Sequence, residues 1–151
     1  MKTFISKTFA LVALAATTLS FTANSPAGGE GFEIFVNSKV VLQQFGKNMD
    51  NIKILQLNPA SPNDKLTIRY HHCGQVGKNR FVTVKNADNN PLKVWHYTDA
   101  VTPIGDMSCT VKDLLSLQKS GNNVLKIFYS SNELPKGRQL ADIVFGDTVK
   151  K

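Results

Sequence analysis

The sequence predicts an all-β fold, namely an antiparallel β-sandwich of about seven to nine strands with one short helix near residues 110–120. Three observations carry this prediction: apolar runs of strand length recur along the chain, Gly, Asn and Pro separate them, and no long helical pattern alternates with them. Short strands between closely spaced turns are typical of sandwiches, whereas parallel α/β sheets need long helices between their strands.

The mature chain begins with four segments of strand length: Phe32–Val36, Val40–Gln44, Asn51–Leu57 and Lys65–Tyr70. A tight turn at residues 37–39 separates the first two, and a loop with two prolines ends the third, because proline cannot donate to a strand ladder. In the fourth segment Leu66, Ile68 and Tyr70 alternate with other residues and therefore share one face.

Four more such segments follow: Arg80–Lys85, Leu92–Tyr97, Val124–Ser130 and Leu140–Phe145. Asn and Asp accept the backbone geometry of hairpin turns, so residues 86–91 (NADNNP) predict a hairpin between the first two. Thr110 and Asp113 resemble an N-cap and first turn, which predicts a short helix ended by Gly121. An extended crossover loop is the alternative for this segment.

Alternation within these strands predicts a core in which the apolar side chains of several strands meet. We expect the following ten side chains to be buried: Leu66, Ile68, Tyr70, Val82, Val84, Leu125, Ile127, Tyr129, Ile143 and Phe145. Trp95 and Tyr97 share a face and either join this core or form an aromatic platform for a sugar or peptide; we expect them in the core.

The N-terminus predicts a secretory signal peptide over residues 1–23. Lys2 and Lys7 give a positive start, and the apolar stretch from Thr8 to Leu19 contains no acidic residue. The stretch is shorter than the roughly 20 residues that a membrane-spanning helix needs. A buried N-terminal helix of the domain is the alternative. We expect a secreted or periplasmic protein that meets the membrane only during export.

Cleavage after Ala23, or alternatively after Ser20 or Ala27, leaves one domain. We predict a flexible Gly/Pro/Ser-rich leader over residues 24–31, a single sandwich over residues 32–147 and a basic tail over residues 148–151. The whole chain has 151 residues and a net charge of +7. The basic residues are spread along the chain, whereas nucleic-acid binding needs a concentrated basic stripe, so we expect no nucleic-acid partner.

Cys73 and Cys109 are the two cysteines of the chain. Because an exported protein meets oxidising conditions, an even pair predicts one intramolecular disulfide between them. Two buried free thiols, or a reactive thiol beside His71 and His72, are the alternatives.

The strand order over residues 32–145, the hairpin VTVKNADNNPLKVWHY and the paired cysteines resemble small exported bacterial β-sandwich proteins of immunoglobulin-like architecture. A strand tryptophan, Trp95, between the two cysteines adds to the resemblance. The resemblance implies an immunoglobulin-like sandwich and assigns no functional residue.

Three histidines are the candidate metal ligands. Neighbouring residues of a strand point to opposite faces, so His71 and His72 do not easily share one ion, and His96 joins them only if its strand is adjacent. No nucleophile elbow, phosphate-binding loop or dinucleotide fingerprint is present in the sequence. We therefore predict that the protein is not an enzyme and holds no metal or cofactor.

The remaining polar strand residues predict a binding surface made of Arg69, His71, His72 and His96. Alternation places Arg69 and His71 opposite the apolar face of their strand, and a guanidinium suits carboxylate partners. The predicted function is a secreted or periplasmic, non-catalytic binding module for an envelope or extracellular protein, peptide or glycan. The alternatives are a small histidine-based, metal-dependent hydrolase and a structural envelope component.

Overall fold

The computed structural model describes residues 29–118 and 124–146. The described residues form nine strands: β1 (Glu30–Val36), β2 (Lys39–Phe45), β3 (Lys53–Leu57), β4 (Lys65–His72), β5 (Arg80–Lys85), β6 (Pro91–Tyr97), β7 (Met107–Thr110), β8 (Val124–Ser130) and β9 (Arg138–Phe145). A 3-10 helix (Gly46–Asp50) follows β2, and a short helix, α1 (Val111–Leu115), follows β7. The predicted signal peptide and basic tail lie outside the described residues. Within them, no helix is long and apolar enough to span a membrane.

The strands form two sheets, with orders β2-β1-β4-β7 and β3-β9-β8-β5-β6. The two sheets pack face to face. Tyr70 of β4 in one sheet stacks on Tyr129 of β8 in the other, with ring centroids 4.3 Å apart. This arrangement confirms the predicted all-β sandwich. The antiparallel prediction has one exception: β3 and β9 run parallel.

The core lies between the sheets and follows the predicted alternation. The ten expected core side chains are all buried except Phe145, which is half-buried and packs against the others. Trp95 and Tyr97 are also half-buried against the core, and the Tyr97 hydroxyl donates a hydrogen bond to the Ser108 carbonyl at 2.8 Å. That bond joins β6 and β7, which are edge strands of different sheets.

Helix α1 begins where the sequence predicts it and ends at Leu115, whereas the predicted end at Gly121 lies outside the described residues. The Thr110 hydroxyl accepts a hydrogen bond from the Asp113 backbone N–H at 3.1 Å, and the Asp113 carboxylate accepts one from the Thr110 backbone N–H at 2.8 Å. This reciprocal arrangement is a capping box. The hydrogen bonds from Thr110 also lower the pKa of Asp113. Val111 and Leu114 fix the helix to the core through their buried side chains.

The predicted Cys73–Cys109 disulfide is wrong, because the topology separates the two residues. Cys109 in β7 is paired with Leu66 near the start of β4, whereas Cys73 follows the last residue of β4. That length of strand corresponds to about 20 Å, and a disulfide requires Cα atoms within about 7 Å. Both thiols are free: Cys73 is exposed, and burial raises the pKa of Cys109 to about 12.

Candidate ligand-binding surface

Arg69 and His71 lie on the outer face of the four-stranded sheet. Strand β4 buries Leu66, Ile68 and Tyr70, and its alternation turns the side chains of Arg69 and His71 outward. The placement predicted for these two residues is therefore confirmed, although the prediction that they bind a ligand is untested.

Arg69 is held by two contacts on this face. Its Nε donates a hydrogen bond to Asp106 Oδ1 at 2.5 Å, and its guanidinium carbon lies 4.5 Å from the centroid of the Phe35 ring. The hydrogen bond from Arg69 lowers the pKa of Asp106. The side chains of Arg69 and Asp106 are 37% and 51% exposed, so a ligand can reach both charges.

His71 occupies the other end of the same face. Its Nε2 lies 3.1 Å from the Glu33 Oε2 atom, and its ring meets the Phe45 ring edge-on with centroids 5.3 Å apart. Glu33 is also the β1 residue directly opposite Arg69 in the strand register. On the outer face, each of these two β4 side chains therefore has one acidic partner and one aromatic partner.

A groove of about 420 Å³ lies beside Arg69. The turn between β1 and β2 and Asp106, the residue before β7, contribute to its lining. Its lining includes Phe35, Asn37, Lys65, Thr67, Arg69 and Asp106. We call this the Arg69 groove. It combines an aromatic ring with hydrogen-bonding groups and charges of both signs, which is the chemistry that orients a polar ligand.

His72 does not contribute to this surface. Strand alternation turns it toward the core, where it is 8% exposed. Its Nε2 lies 2.8 Å from the Tyr129 hydroxyl and 3.3 Å from Ser131 Oγ. Burial lowers the pKa of His72. The sequence pattern already placed His71 and His72 on opposite faces, so predicting both for one surface was inconsistent with it.

Ser131 and His72 are in contact, and serine and histidine are the residue types of a catalytic nucleophile and its general base. Both residues are buried, and the Tyr129 hydroxyl is the closer partner of the imidazole. Ser131 Oγ also accepts a hydrogen bond from the Leu134 backbone N–H at 3.2 Å, which shapes the loop after β8. The group is best explained as a hydrogen-bonded part of the core.

His96 is exposed but lies on the other sheet. It is paired with Phe81 across β5 and β6, and the two rings stack with centroids 4.5 Å apart. Because the inner faces of the sheets meet in the core, the outward side of β6 lies across the sandwich from Arg69 and His71. The structure therefore does not bring the four predicted binding residues together.

The separation of the three histidines also bears on the alternative prediction of a metal site. Among residues 29–118 and 124–146, no group of three or more His, Cys, Asp or Glu side chains is placed to hold a metal ion. The alternative that combined His71, His72 and His96 thus has no geometric support from the described residues.

Sequence reasoning missed Phe35 and Asp106 as partners of Arg69. In the sequence, Phe35 has no feature that distinguishes it from other apolar strand residues. Asp106 precedes β7, a strand that the apolar pattern did not predict. Alternation could have placed Phe35 on an outer face. Only the strand order could have placed it beside Arg69.

No protein-family model matches the chain, and comparison with curated proteins finds no significant match. What the protein does is therefore inferred from the geometry and chemistry of its own residues.

Proposed function

We propose that this protein is a secreted or periplasmic, non-catalytic binding module, and that its protein, peptide or glycan ligand occupies the Arg69 groove. The observation that carries the proposal is the groove itself, in which Phe35, Arg69 and Asp106 combine a ring, a cation and an anion. Such a lining matches a ligand that offers both hydrogen-bond donors and acceptors, such as peptide groups or sugar hydroxyls.

The walls of the groove are fixed by contacts within the protein. The Asn37 side chain donates a hydrogen bond to Asp64 Oδ1 at 2.7 Å and accepts one from the Lys65 backbone N–H at 2.9 Å. On the floor, the hydroxyls of Thr67 and Ser108 share a hydrogen bond at 2.9 Å. A wall that is already ordered loses little conformational freedom when a ligand binds, which favours affinity.

We also propose that the sandwich is immunoglobulin-like. In that fold, strands A, B and E are neighbours in one sheet, and strands C, F and G in the other. Strands β1, β4 and β7 match the first set, and β5, β8 and β9 match the second, in the same chain order. The Tyr70–Tyr129 stack joins β4 and β8, the strands that correspond to those linked by a disulfide in antibody domains.

Export is the part of the proposal supported by the sequence of residues 1–23. Expression of the full chain in a bacterial host should give a periplasmic or secreted product whose intact mass lacks these residues. A product of full-length mass that stays in the cytoplasm would contradict export.

The binding surface is tested by comparing the variant Arg69→Ala/His71→Ala with the wild type on a glycan array and on immobilised envelope proteins and peptides. For a ligand found with the wild type, we expect the double variant to lose about tenfold or more in affinity. A hydrogen bond to a charged group contributes about 1.5–3 kcal/mol.

His96→Ala is the matched control, because it removes an exposed histidine from the opposite side of the sandwich. It should leave affinity unchanged, and circular dichroism should show the same fold for all three proteins. Equal affinity of the double variant and the wild type would remove the Arg69 groove from consideration. Absence of any wild-type ligand would favour the structural envelope role instead.

A further inference from the structure

A second groove, of about 520 Å³, runs along the side of the sandwich between edge strands β2 and β3. Its lining includes Leu42, Gln44, Asn48, Asn51, Lys53 and Ile54. We call it the β2–β3 groove. It belongs to different strands from the Arg69 groove and shares none of its lining residues.

Gln44 is the unusual residue of this groove, because it is polar and only 6% exposed. Its Nε2 donates hydrogen bonds to the carbonyl oxygens of Asn48 at 2.9 Å and Asn51 at 2.8 Å. Those two acceptors fix which end of the amide is nitrogen. The Gln44 Oε1 atom is buried and has no hydrogen-bond partner among the described residues. Buried acceptors are nearly always paired, so the Gln44 amide is an exception in the lining of this groove.

The strands on either side of the groove have open edges. In the described sheets, β2 and β3 each have a neighbour on one side only. Strand β2, strand β3 and the residue before β3 also carry four of the seven large apolar side chains that the described residues expose: Val40 (41%), Val41 (40%), Ile52 (37%) and Ile54 (69%). Open strand edges with exposed apolar side chains are the usual template for pairing with another strand.

The charges beside the groove are mainly positive. Lys53 lines the groove, Lys47 directly precedes the lining residue Asn48, and both lysines are exposed. The nearby Asp50 already pairs with Arg138 at 3.3 Å. An anionic ligand is therefore favoured over a cationic one.

We propose that the β2–β3 groove binds an extended segment of a partner protein, one with alternating apolar side chains and at least one acidic residue. Main-chain groups of this segment pair with the open strand edges beside the groove, and its apolar side chains cover Val41 and Ile54. Its acidic group pairs with Lys47 or Lys53. This is recognition by addition of a strand, in which main-chain hydrogen bonds give affinity and alternate side chains give specificity.

The probe is a synthetic library of peptides of roughly eight residues, the length of a strand, with Val, Ile or Leu at alternate positions and Asp or Glu between them. A scrambled library of the same composition is the reference. Fluorescence anisotropy should show tighter binding of the alternating library to the wild type. Hydrogen exchange should show new protection of the β2 and β3 backbone amides.

Two matched variants test the location. Ile54→Asn and Val94→Asn each replace an exposed apolar residue on opposite edge strands of the five-stranded sheet, 69% and 51% exposed, so both should fold normally. We expect Ile54→Asn to weaken peptide binding about tenfold or more, and Val94→Asn to leave it unchanged. Arg69→Ala/His71→Ala should also leave it unchanged, which separates this proposal from the proposed function.

Equal affinity for the two libraries, equal loss in both edge variants, or protection confined to β6 would each overturn the proposal. Concentration-dependent self-association that Ile54→Asn abolishes would overturn it in favour of a second copy of this chain. No binding of either library to the wild type would also overturn it.

Discussion

At the scale of single residues, the Tyr70–Tyr129 stack joins two polar networks. On one side the Tyr129 hydroxyl and His72 Nε2 are 2.8 Å apart. On the other side the Tyr70 hydroxyl donates a hydrogen bond to Glu30 Oε1 at 2.5 Å, and Arg138 donates one to Glu30 Oε2 at 3.2 Å. Burial raises the pKa of both tyrosines, so both hydroxyls stay neutral. The networks place polar side chains inside the sandwich without leaving these hydroxyls unpaired.

His72 should make the stability of the fold depend on pH. Burial lowers its pKa in the folded protein, with Arg80 acting in the same direction and Glu133 and Glu30 opposing it. The unfolded chain therefore binds a proton more readily once the pH falls below about 6.5, the ordinary histidine pKa. The free energy of unfolding should decrease as the pH falls from there toward the folded-state pKa of His72.

The variant His72→Gln keeps a polar side chain and removes this titration. Urea unfolding of the wild type and the variant at pH 7.5 and pH 5.5 should show a smaller loss of stability in the variant. His96→Gln, which changes an exposed histidine, should lose as much stability as the wild type. An identical loss in His72→Gln and the wild type would show that His72 is not the titrating group.

Arg80 is a buried cation that sequence reasoning did not single out. It is 6% exposed, and its guanidinium donates to the carbonyl oxygens of Thr98 at 2.8 and 2.9 Å and of Gly105 at 2.9 Å. These bonds fix the loop between β6 and β7, which exposes 96% of Val101 to solvent. Its acceptors are backbone groups 18 and 25 residues away, which no local pattern reveals.

At the scale of elements, local chemistry made much of the fold predictable. The β5–β6 hairpin follows from residues 86–90, where the Asn86 side chain accepts a hydrogen bond from the Asn90 N–H at 2.8 Å and Asn89 adopts a positive φ of 64°. Strand β8 buries every second side chain over its predicted length, Val124–Ser130. Turn residues and alternation act over a few residues, so they can be identified in one sequence.

Elements fixed by distant partners were not predictable in this way. Strand β7 has only four residues, MSCT, and is stabilised by pairing with β4 about forty positions earlier in the chain. Strand β1 begins at Glu30, inside the predicted leader, because that end pairs with His72. The parallel pairing of β3 with β9 likewise depends on sheet order. Asp106 precedes β7, so the partner of Arg69 could not be identified either.

At the scale of the whole molecule, topology decides which predicted residues meet. Arg69 and His96 are both outward strand residues, yet they belong to different sheets and face opposite sides. Cys73 and Cys109 are separated by the length of β4. The sequence is therefore enough to predict the fold class and the face to which a strand side chain points. Predicting which residues share one surface also requires the order of the strands in both sheets.

Truncation of a buried side chain in the core should destabilise the fold. Ile127 is fully buried in β8, with Val84 of β5 and Ala141 of β9 directly beside it in the register. Ile127→Ala removes buried methyl groups and leaves a cavity that strands fixed on both sides cannot close, so it should lower the free energy of unfolding by about 2–5 kcal/mol. Val94→Ala, on an exposed edge position, should change it by no more than about 0.5 kcal/mol. Urea denaturation measures both. A loss below about 0.5 kcal/mol for Ile127→Ala would mean that the inner face of β8 is not tightly packed against its neighbours.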